Sequence, residues 1–158
     1  MRGMVDGRLA VIGAGTMGAG IAQVAASAGT HVILVDIDEE LAMRGLERIT
    51  RNLESFVSKE KISAEDKEAV LARIACSADL EGTGRRAGFV IEAAVEDVEV
   101  KRSIFRRLGE VCAPDVVLAT NTSSLSVTEI AARVRNPERV IGLHFFNPAP
   151  AGWAESPA

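Results

Sequence analysis

Short runs of β-branched and other apolar residues alternate along this chain with longer stretches in which apolar residues recur at a helical period. Five short runs predict buried strands, over 9–12, 31–35, 88–92, 116–119 and 140–143. The longer stretches predict helices over 16–28, 39–58, 64–74, 98–111 and 127–134. Such alternation is typical of an α/β fold, in which helices cover both faces of a mostly parallel sheet.

Local signals mark the ends of several elements. Gly29 is predicted to end the first helix, and Ser63 followed by Asp66 resembles a capping box at the start of the third. The glycine-rich, charged stretch 81–86 predicts a surface turn.

Length, composition and charge exclude several classes of protein. The 158 residues suit one soluble domain, with 47% hydrophobic and 25% charged residues. The net charge of −4 and the scattered basic residues argue against nucleic-acid binding. No apolar run approaches the roughly 20 residues that span a bilayer, and no signal sequence is apparent, so we expect a cytoplasmic protein. Cys76 and Cys112 lack the spacing of a zinc site or a disulfide framework and are interpreted as incidental thiols.

Three glycines follow the first predicted strand and lead into the first predicted helix. Gly13, Gly15 and Gly18 form a G-x-G-x-x-G pattern, which in this context is typical of dinucleotide binding. Gly13 permits a tight turn, Gly15 lets a pyrophosphate approach the backbone, and Gly18 lets helix and strand pack closely. We therefore expect a Rossmann-type doubly wound sheet.

An acidic residue ends the second predicted strand, where it can accept hydrogen bonds from an adenosine ribose. This residue is Asp36, and its charge would repel a 2′-phosphate, so NAD is favoured over NADP. The alternative is that Asp36 caps the next helix, a role that Asp38 fits equally well.

Three stretches make the chain resemble the 3-hydroxyacyl-CoA dehydrogenase family, which includes 3-hydroxybutyryl-CoA dehydrogenases. They are GAGTMGAGIA at 13–22, TNTSSLS at 120–126 and HFFNPAP at 144–150, and the match runs from about Leu9 to Pro150. The resemblance implies that NAD accepts a hydride from C3 of an L-3-hydroxyacyl-CoA, as in fatty-acid metabolism.

The resemblance also implies two catalytic residues. His144 matches the family's general base, and an imidazole suits proton transfer near neutral pH. Ser123 matches the serine that hydrogen-bonds the substrate oxygen near the nicotinamide. The alternative for Ser123 is a helix N-cap, a role that Ser124 or Ser126 would otherwise fill.

Other positions match family contacts. The implied substrate contacts are Ser123, Lys101 and Lys59, the last through the CoA phosphates, although Glu96, Lys101 and Lys59 are alternatively solvated surface charges. His31 matches no site and is interpreted as structural. The implied cofactor contacts are Gly13, Ala14, Gly15, Thr16, Met17, Gly18, Asp36, Glu96, Lys101, Ser123 and Asn147.

The chain departs from the family pattern after Pro150. The family places a glutamate twelve residues beyond the catalytic histidine, where this chain has Ser156, with Glu155 beside it. A helical second domain, which in the family forms the homodimer, has no counterpart here. We expect an NAD-binding domain over 1–150 and a non-family tail over 151–158, left by truncation or a shifted reading frame.

Two further functions remain open. One is a noncatalytic NAD-binding module that needs a separate helical partner chain. The other is a dehydrogenase of the same fold that acts on a related hydroxyacid or sugar acid.

Overall fold

Six parallel strands form one sheet in the computed structural model, which describes residues 8–122 and 125–145. The strand order is β3-β2-β1-β4-β5-β6, and each neighbouring pair is parallel. This is the order of the doubly wound Rossmann fold, and it confirms the predicted fold class. The strands are β1 Arg8–Ile12, β2 Val32–Val35, β3 Ile74–Ser77, β4 Ala87–Glu92, β5 Val117–Thr120 and β6 Val140–Gly142.

Helices connect the strands, and several begin at a side-chain cap. Asp38 and Asp97 each accept a first-turn backbone N–H. Ser63 and Asp66 accept each other's backbone N–H at 3.0 Å, which confirms the predicted capping box. The helices are α1 Thr16–Ser27, α2 Glu39–Ser58, α3 Ala64–Ala72, α4 Leu80–Arg86, α5 Val98–Val111 and α6 Val127–Ala131, with a 3-10 turn at Pro137–Arg139.

The core consists of two apolar layers, one on each face of the sheet. Leu9 and Val11 of β1 pack with residues of α1, α2 and α3. Ala10 and Ile12 pack on the other face, with residues of α4, α5 and α6. Since successive side chains of a strand point to opposite faces, β1 contributes to both layers and lies at the centre of the fold.

Three local predictions were wrong. Strand β3 was not predicted, a turn was predicted where α4 forms, and the last helix was predicted to extend to 134 although α6 ends at Ala131. Asp79 caps α4 by accepting a hydrogen bond from the Gly82 N–H at 2.9 Å. A Cβ at Gly84 would lie 2.8 Å from Val111 Cγ2, so this glycine permits close packing of α4 on α5.

Some predictions fall on residues that the structure does not describe. Ser123, Asn147 and the tail 151–158 lie outside the described residues, and the domain boundary at 150 stays a prediction.

In the part of the chain that is described, no helix combines the length and apolar character needed to cross a bilayer. Both cysteines are free thiols, and burial raises the pKa of each.

Candidate functional site

The segments that follow the central strands lie side by side at the carboxyl edge of the sheet. Backbone hydrogen bonds extend the sheet pairing past the strand ends and hold these segments together. They run from the N–H of Gly13 to Val35 O (2.8 Å), of Ala93 to Ile12 O (2.7 Å), of Asn121 to Glu92 O (2.8 Å) and of Leu143 to Thr120 O (3.0 Å). Ligands of open α/β sheets bind at this edge.

The glycine loop between β1 and α1 has the steric features that a dinucleotide requires. Gly13 has a φ of +101°, and a Cβ there would lie 2.5 Å from the carbonyl oxygen of Ala93. A Cβ at Gly18 would lie 1.7 Å from the carbonyl oxygen of Gly13. A Cβ at Gly15 would meet nothing within 4 Å. Gly13 and Gly18 are thus needed by the fold, whereas Gly15 leaves open space beside the loop.

The N-terminus of α1 points its backbone N–H groups into this space. Its N-cap is Gly15, which offers no side-chain oxygen to these groups, and its first turn holds no acidic residue. Unpaired N–H groups and the positive end of the helix dipole favour an anion there. A pyrophosphate fits this arrangement, since it supplies the missing acceptors.

Asp36 organises the loop from the end of β2. Its two carboxylate oxygens accept hydrogen bonds from the N–H of Ala14 at 2.8 Å and of Ile37 at 2.7 Å. Asp38, and not Asp36, caps α2, because it accepts from the Leu41 N–H at 2.7 Å. A carboxylate has about four acceptor positions, so Asp36 retains capacity for ribose hydroxyls.

A buried ion pair lies beneath the loop that follows β4. Lys101 Nζ donates to Glu92 Oε2 at 2.6 Å, and both side chains are 0% exposed. Glu92 also accepts from the Ala94 N–H at 2.7 Å and from the Thr120 hydroxyl at 2.6 Å. These bonds fix the start of segment 93–96. The predicted contact of Lys101 with cofactor and substrate stays a prediction. The alternative, a solvated surface charge, is wrong for Lys101, because its side chain is buried and its ammonium group positions this loop.

Glu96 joins the β4 loop to the loop after β5. Its carboxylate accepts a hydrogen bond from the Thr122 hydroxyl, whose oxygen accepts from the Leu125 N–H at 3.1 Å. The N-cap of α6 is Ser126, whose hydroxyl accepts from the Glu129 N–H at 3.3 Å. Of the serines in this loop, Ser126 is therefore the one that caps α6. The role of Ser123 stays a prediction.

His144 lies two residues beyond β6, at the same edge, and is exposed. The segment that carries it is anchored to the β5 loop, because Asn121 Oδ1 accepts from the Phe145 N–H at 2.9 Å. The described residues of the three stretches that carry the family resemblance thus lie at one edge of the sheet.

Two residues named by the sequence analysis lie away from this edge. Lys59 follows the last residue of α2, a helix of twenty residues whose length is roughly 30 Å. It therefore lies about one helix length from Asp38. His31 precedes β2 at the amino edge, where its carbonyl oxygen accepts from the Leu9 N–H at 2.9 Å.

Sequence reasoning missed the roles of Glu92 and Asn121 in shaping the site. Glu92 did carry a signal, because a carboxylate that ends an otherwise apolar strand needs a partner when it is buried. The partner, Lys101, lies on the following helix. Asn121 carried no such signal, since its contact to Phe145 spans 24 residues of sequence.

Comparisons with known proteins agree with this geometry. A family model described as "3-hydroxyacyl-CoA dehydrogenase, NAD binding domain" matches residues 8–152. A 3-hydroxyadipyl-CoA dehydrogenase of Escherichia coli K12 is 53% identical over 142 residues, which are 90% of this chain and 30% of that protein. A 3-hydroxybutyryl-CoA dehydrogenase of Clostridioides difficile is 43% identical, covering 90% of this chain and 50% of that protein.

A solved structure shows the same likeness. The crystal structure of a 3-hydroxybutyryl-CoA dehydrogenase from Escherichia coli K12 has a TM-score of 0.87 and 52% identity, covering 91% of this chain and 30% of that one. This chain thus spans from 30% to 50% of the length of these relatives. Because the family model covers residues 8–152, this chain belongs to the NAD-binding domain family of the 3-hydroxyacyl-CoA dehydrogenases.

Proposed function

We propose that this chain is the NAD-binding part of an enzyme that oxidises an L-3-hydroxyacyl-CoA to the 3-ketoacyl-CoA. The observation that carries the proposal is that the segments after β4, β5 and β6 lie together at one edge of the sheet. Thr122 bonds Glu96, and Asn121 bonds the backbone beside His144, at the edge of the sheet that also carries the glycine loop. The names of the relatives support the same substrate class.

The proposed chemistry divides between the cofactor and the chain. Bound NAD supplies the acceptor for the hydride that leaves C3 of the substrate. His144 takes the proton of the C3 hydroxyl, so that the C–O bond becomes a carbonyl, and it returns the proton in the reverse direction. Ser123 is proposed to donate a hydrogen bond to the same oxygen, and Asn147 to contact the nicotinamide side.

The residues around the base prepare its position. Asn121 fixes the backbone of the segment after β6, and Glu92 fixes the backbone of the segment after β4. Both anchors reduce the freedom of the loops between which the substrate's C3 would lie. Such positioning lowers the entropic part of the activation barrier for the proposed reaction at C3.

The proposed partners are a 3-hydroxyacyl-CoA or 3-ketoacyl-CoA and the helical domain through which family members pair. The proposed setting is the cytoplasm. Lys59 is proposed to serve the substrate through the CoA phosphates, and Lys101, whose ammonium group is buried against Glu92, to serve it through the β4 loop that it positions. The alternative function is an NAD-binding module without turnover.

An assay of acetoacetyl-CoA reduction separates the two functions. The purified chain is titrated with NADH by fluorescence, and NADH oxidation with acetoacetyl-CoA is followed by absorbance. We expect NADH binding and a slow oxidation that requires acetoacetyl-CoA and is lost in His144→Gln, while NADH affinity is retained. The matched control is His31→Gln, because the chain has two histidines and His31 lies at the opposite edge.

The other outcomes of the assay decide between the two functions or refute the role of His144. Binding of NADH without oxidation above the enzyme-free rate would favour the binding module. Equal turnover in His144→Gln and wild type would refute the general base. Absence of NADH binding would refute both functions.

A further inference from the structure

A groove between α1 and α2 begins at Thr16, beside the glycine loop. It has a volume of about 490 Å³, and its lining includes Thr16, Arg48 and Arg51. Helix α2 packs closely on the glycine loop here, since a Cβ at Gly45 of α2 would lie 2.8 Å from both Cβ and O of Ala14. This contact brings the middle of α2 next to the loop that faces the cofactor.

Arg48 reaches from α2 to the N-terminus of α1. Its Nη1 donates to the Thr16 hydroxyl at 2.9 Å, and Thr16 is the first residue of α1. The guanidinium group is exposed, and among residues 8–122 and 125–145 no carboxylate oxygen lies within 4.0 Å of it. A hydroxyl partner orients the group without neutralising its charge.

The charge requirement of the site identifies what Arg48 contacts. A dinucleotide pyrophosphate carries two negative charges, whereas the end of a helix supplies the equivalent of about half a positive charge. The first turn of α1 contains no basic side chain, and the guanidinium group of Arg48, held at the Thr16 hydroxyl, adds the positive charge that this turn lacks. An arginine fork also matches the geometry of phosphate oxygens.

We propose that Arg48 is a cofactor-binding residue whose guanidinium group, positioned by Thr16, contacts the pyrophosphate of NAD at the N-terminus of α1. This inference rests on the proposed function for the identity of the cofactor. The phosphates of a CoA substrate share the same chemistry, and the experiment below distinguishes the two sources.

Affinities for ligands with and without a pyrophosphate test this role. Dissociation constants for NADH, ADP-ribose, adenosine and CoA are measured for the wild type, Arg48→Ala and Arg48→Lys, and CoA affinity is expected to stay unchanged. We expect Arg48→Ala to bind NADH and ADP-ribose about tenfold more weakly, the effect of one charge-assisted hydrogen bond. Adenosine affinity stays unchanged, and Arg48→Lys lies between. The loss shrinks in high salt, because the group is exposed.

Arg106→Ala is the matched control. It makes the same change in net charge, and Arg106 is exposed on α5, which packs on the opposite face of the sheet. We expect its affinities for the four ligands to equal those of the wild type.

Four results would overturn the role of Arg48. Unchanged NADH affinity in Arg48→Ala would remove it directly, and an equal loss of adenosine affinity would show general damage to the loop. Weaker binding of CoA with unchanged binding of ADP-ribose would assign Arg48 to the substrate phosphates. A wild-type chain that does not bind NADH would overturn the proposed function together with this role.

Discussion

Replacing Lys101 with methionine tests the buried ion pair that supports the β4 loop. The ammonium group donates to Glu92 Oε2 at 2.6 Å and to the Ala94 carbonyl oxygen at 3.3 Å, with no exposed surface on either charged side chain. Methionine fills a similar volume but leaves the carboxylate charged and buried. Removing one partner of a buried pair costs about 3–5 kcal/mol in free energy of unfolding.

The structure places the expected cost at the lower end of that range. Glu92 keeps two of its hydrogen bonds in the variant, from the Thr120 hydroxyl and the Ala94 N–H. We therefore expect Lys101→Met to lose about 3 kcal/mol, a large share of the roughly 5–15 kcal/mol typical of a domain. The measurement is urea denaturation followed by far-UV circular dichroism.

A double variant identifies the cause of the loss. Glu92→Gln in the Lys101→Met background removes the remaining charge, and an amide can accept from the Ala94 N–H while donating to the Thr120 oxygen. We expect the double variant to be more stable than Lys101→Met alone by about 1–2 kcal/mol, the size of a typical coupling energy between contacting residues.

Lys67→Met is the control for this series. Lys67 pairs with Glu54 at 3.3 Å, with side chains 20% and 56% exposed, so we expect a loss below about 1 kcal/mol. The reasoning would be refuted if Lys101→Met lost no more stability than Lys67→Met, or if the double variant were less stable than the single one.

Three further predictions concern the glycine loop, a buried arginine and the pH dependence of stability. Gly18→Ala should cost about 3 kcal/mol, because its Cβ would overlap the Gly13 carbonyl oxygen. Gly15→Ala should unfold at nearly the wild-type urea concentration yet bind NADH more weakly, since its Cβ enters the open space at the loop. Arg139→Met should lose about 2 kcal/mol in urea denaturation, because the buried guanidinium donates to two carbonyl oxygens at 2.7 and 2.9 Å. The hydrogen bond from Arg107 lowers the pKa of Glu81, so this pair stabilises the fold above the ordinary glutamate pKa of about 4.3 and less as the pH falls through the lowered value. The urea midpoints of wild type and Glu81→Gln should therefore differ slightly at pH 7 and converge at pH 3, and a constant difference would contradict this.

The sequence predicted the parts of the fold whose signals are local. The strands of the central sheet and the long helix α2 have clear periodicity. The glycine motif lies between a predicted strand and a predicted helix, which is the context that dinucleotide binding requires. The segment of β3 is Ile-Ala-Cys-Ser, which lacks a β-branched run, and it pairs at the edge of the sheet with β2 alone. Tertiary pairing makes it a strand where propensity is weak.

Helix α4 shows why glycine was misleading. Gly82 and Gly84 predicted a turn, but a Cβ at Gly82 would lie 2.0 Å from Asp79 Oδ2, within the N-cap of the helix. The glycines therefore permit a tight cap and close packing on α5. These reasons depend on neighbours that the local sequence does not reveal.

The candidate site divides in the same way. The glycine loop, Asp36 and the segment with His144 were predicted from motifs and their positions after strands. The ion pair of Glu92 with Lys101 joins β4 to α5, and the contact of Asn121 with the His144 segment joins the loops after β5 and β6, so periodicity and motif spacing did not reveal them.

A titration of the ¹⁵N-labelled chain with NAD, followed by its amide NMR spectrum, tests the central claim most directly. The account predicts that the largest shifts fall on the amides of 13–18, at the N-terminus of α1, and that smaller shifts affect Asp36 and segment 93–96. Unchanged amides at 13–18 under saturating NAD, or shifts confined to the amino edge near His31, would contradict it.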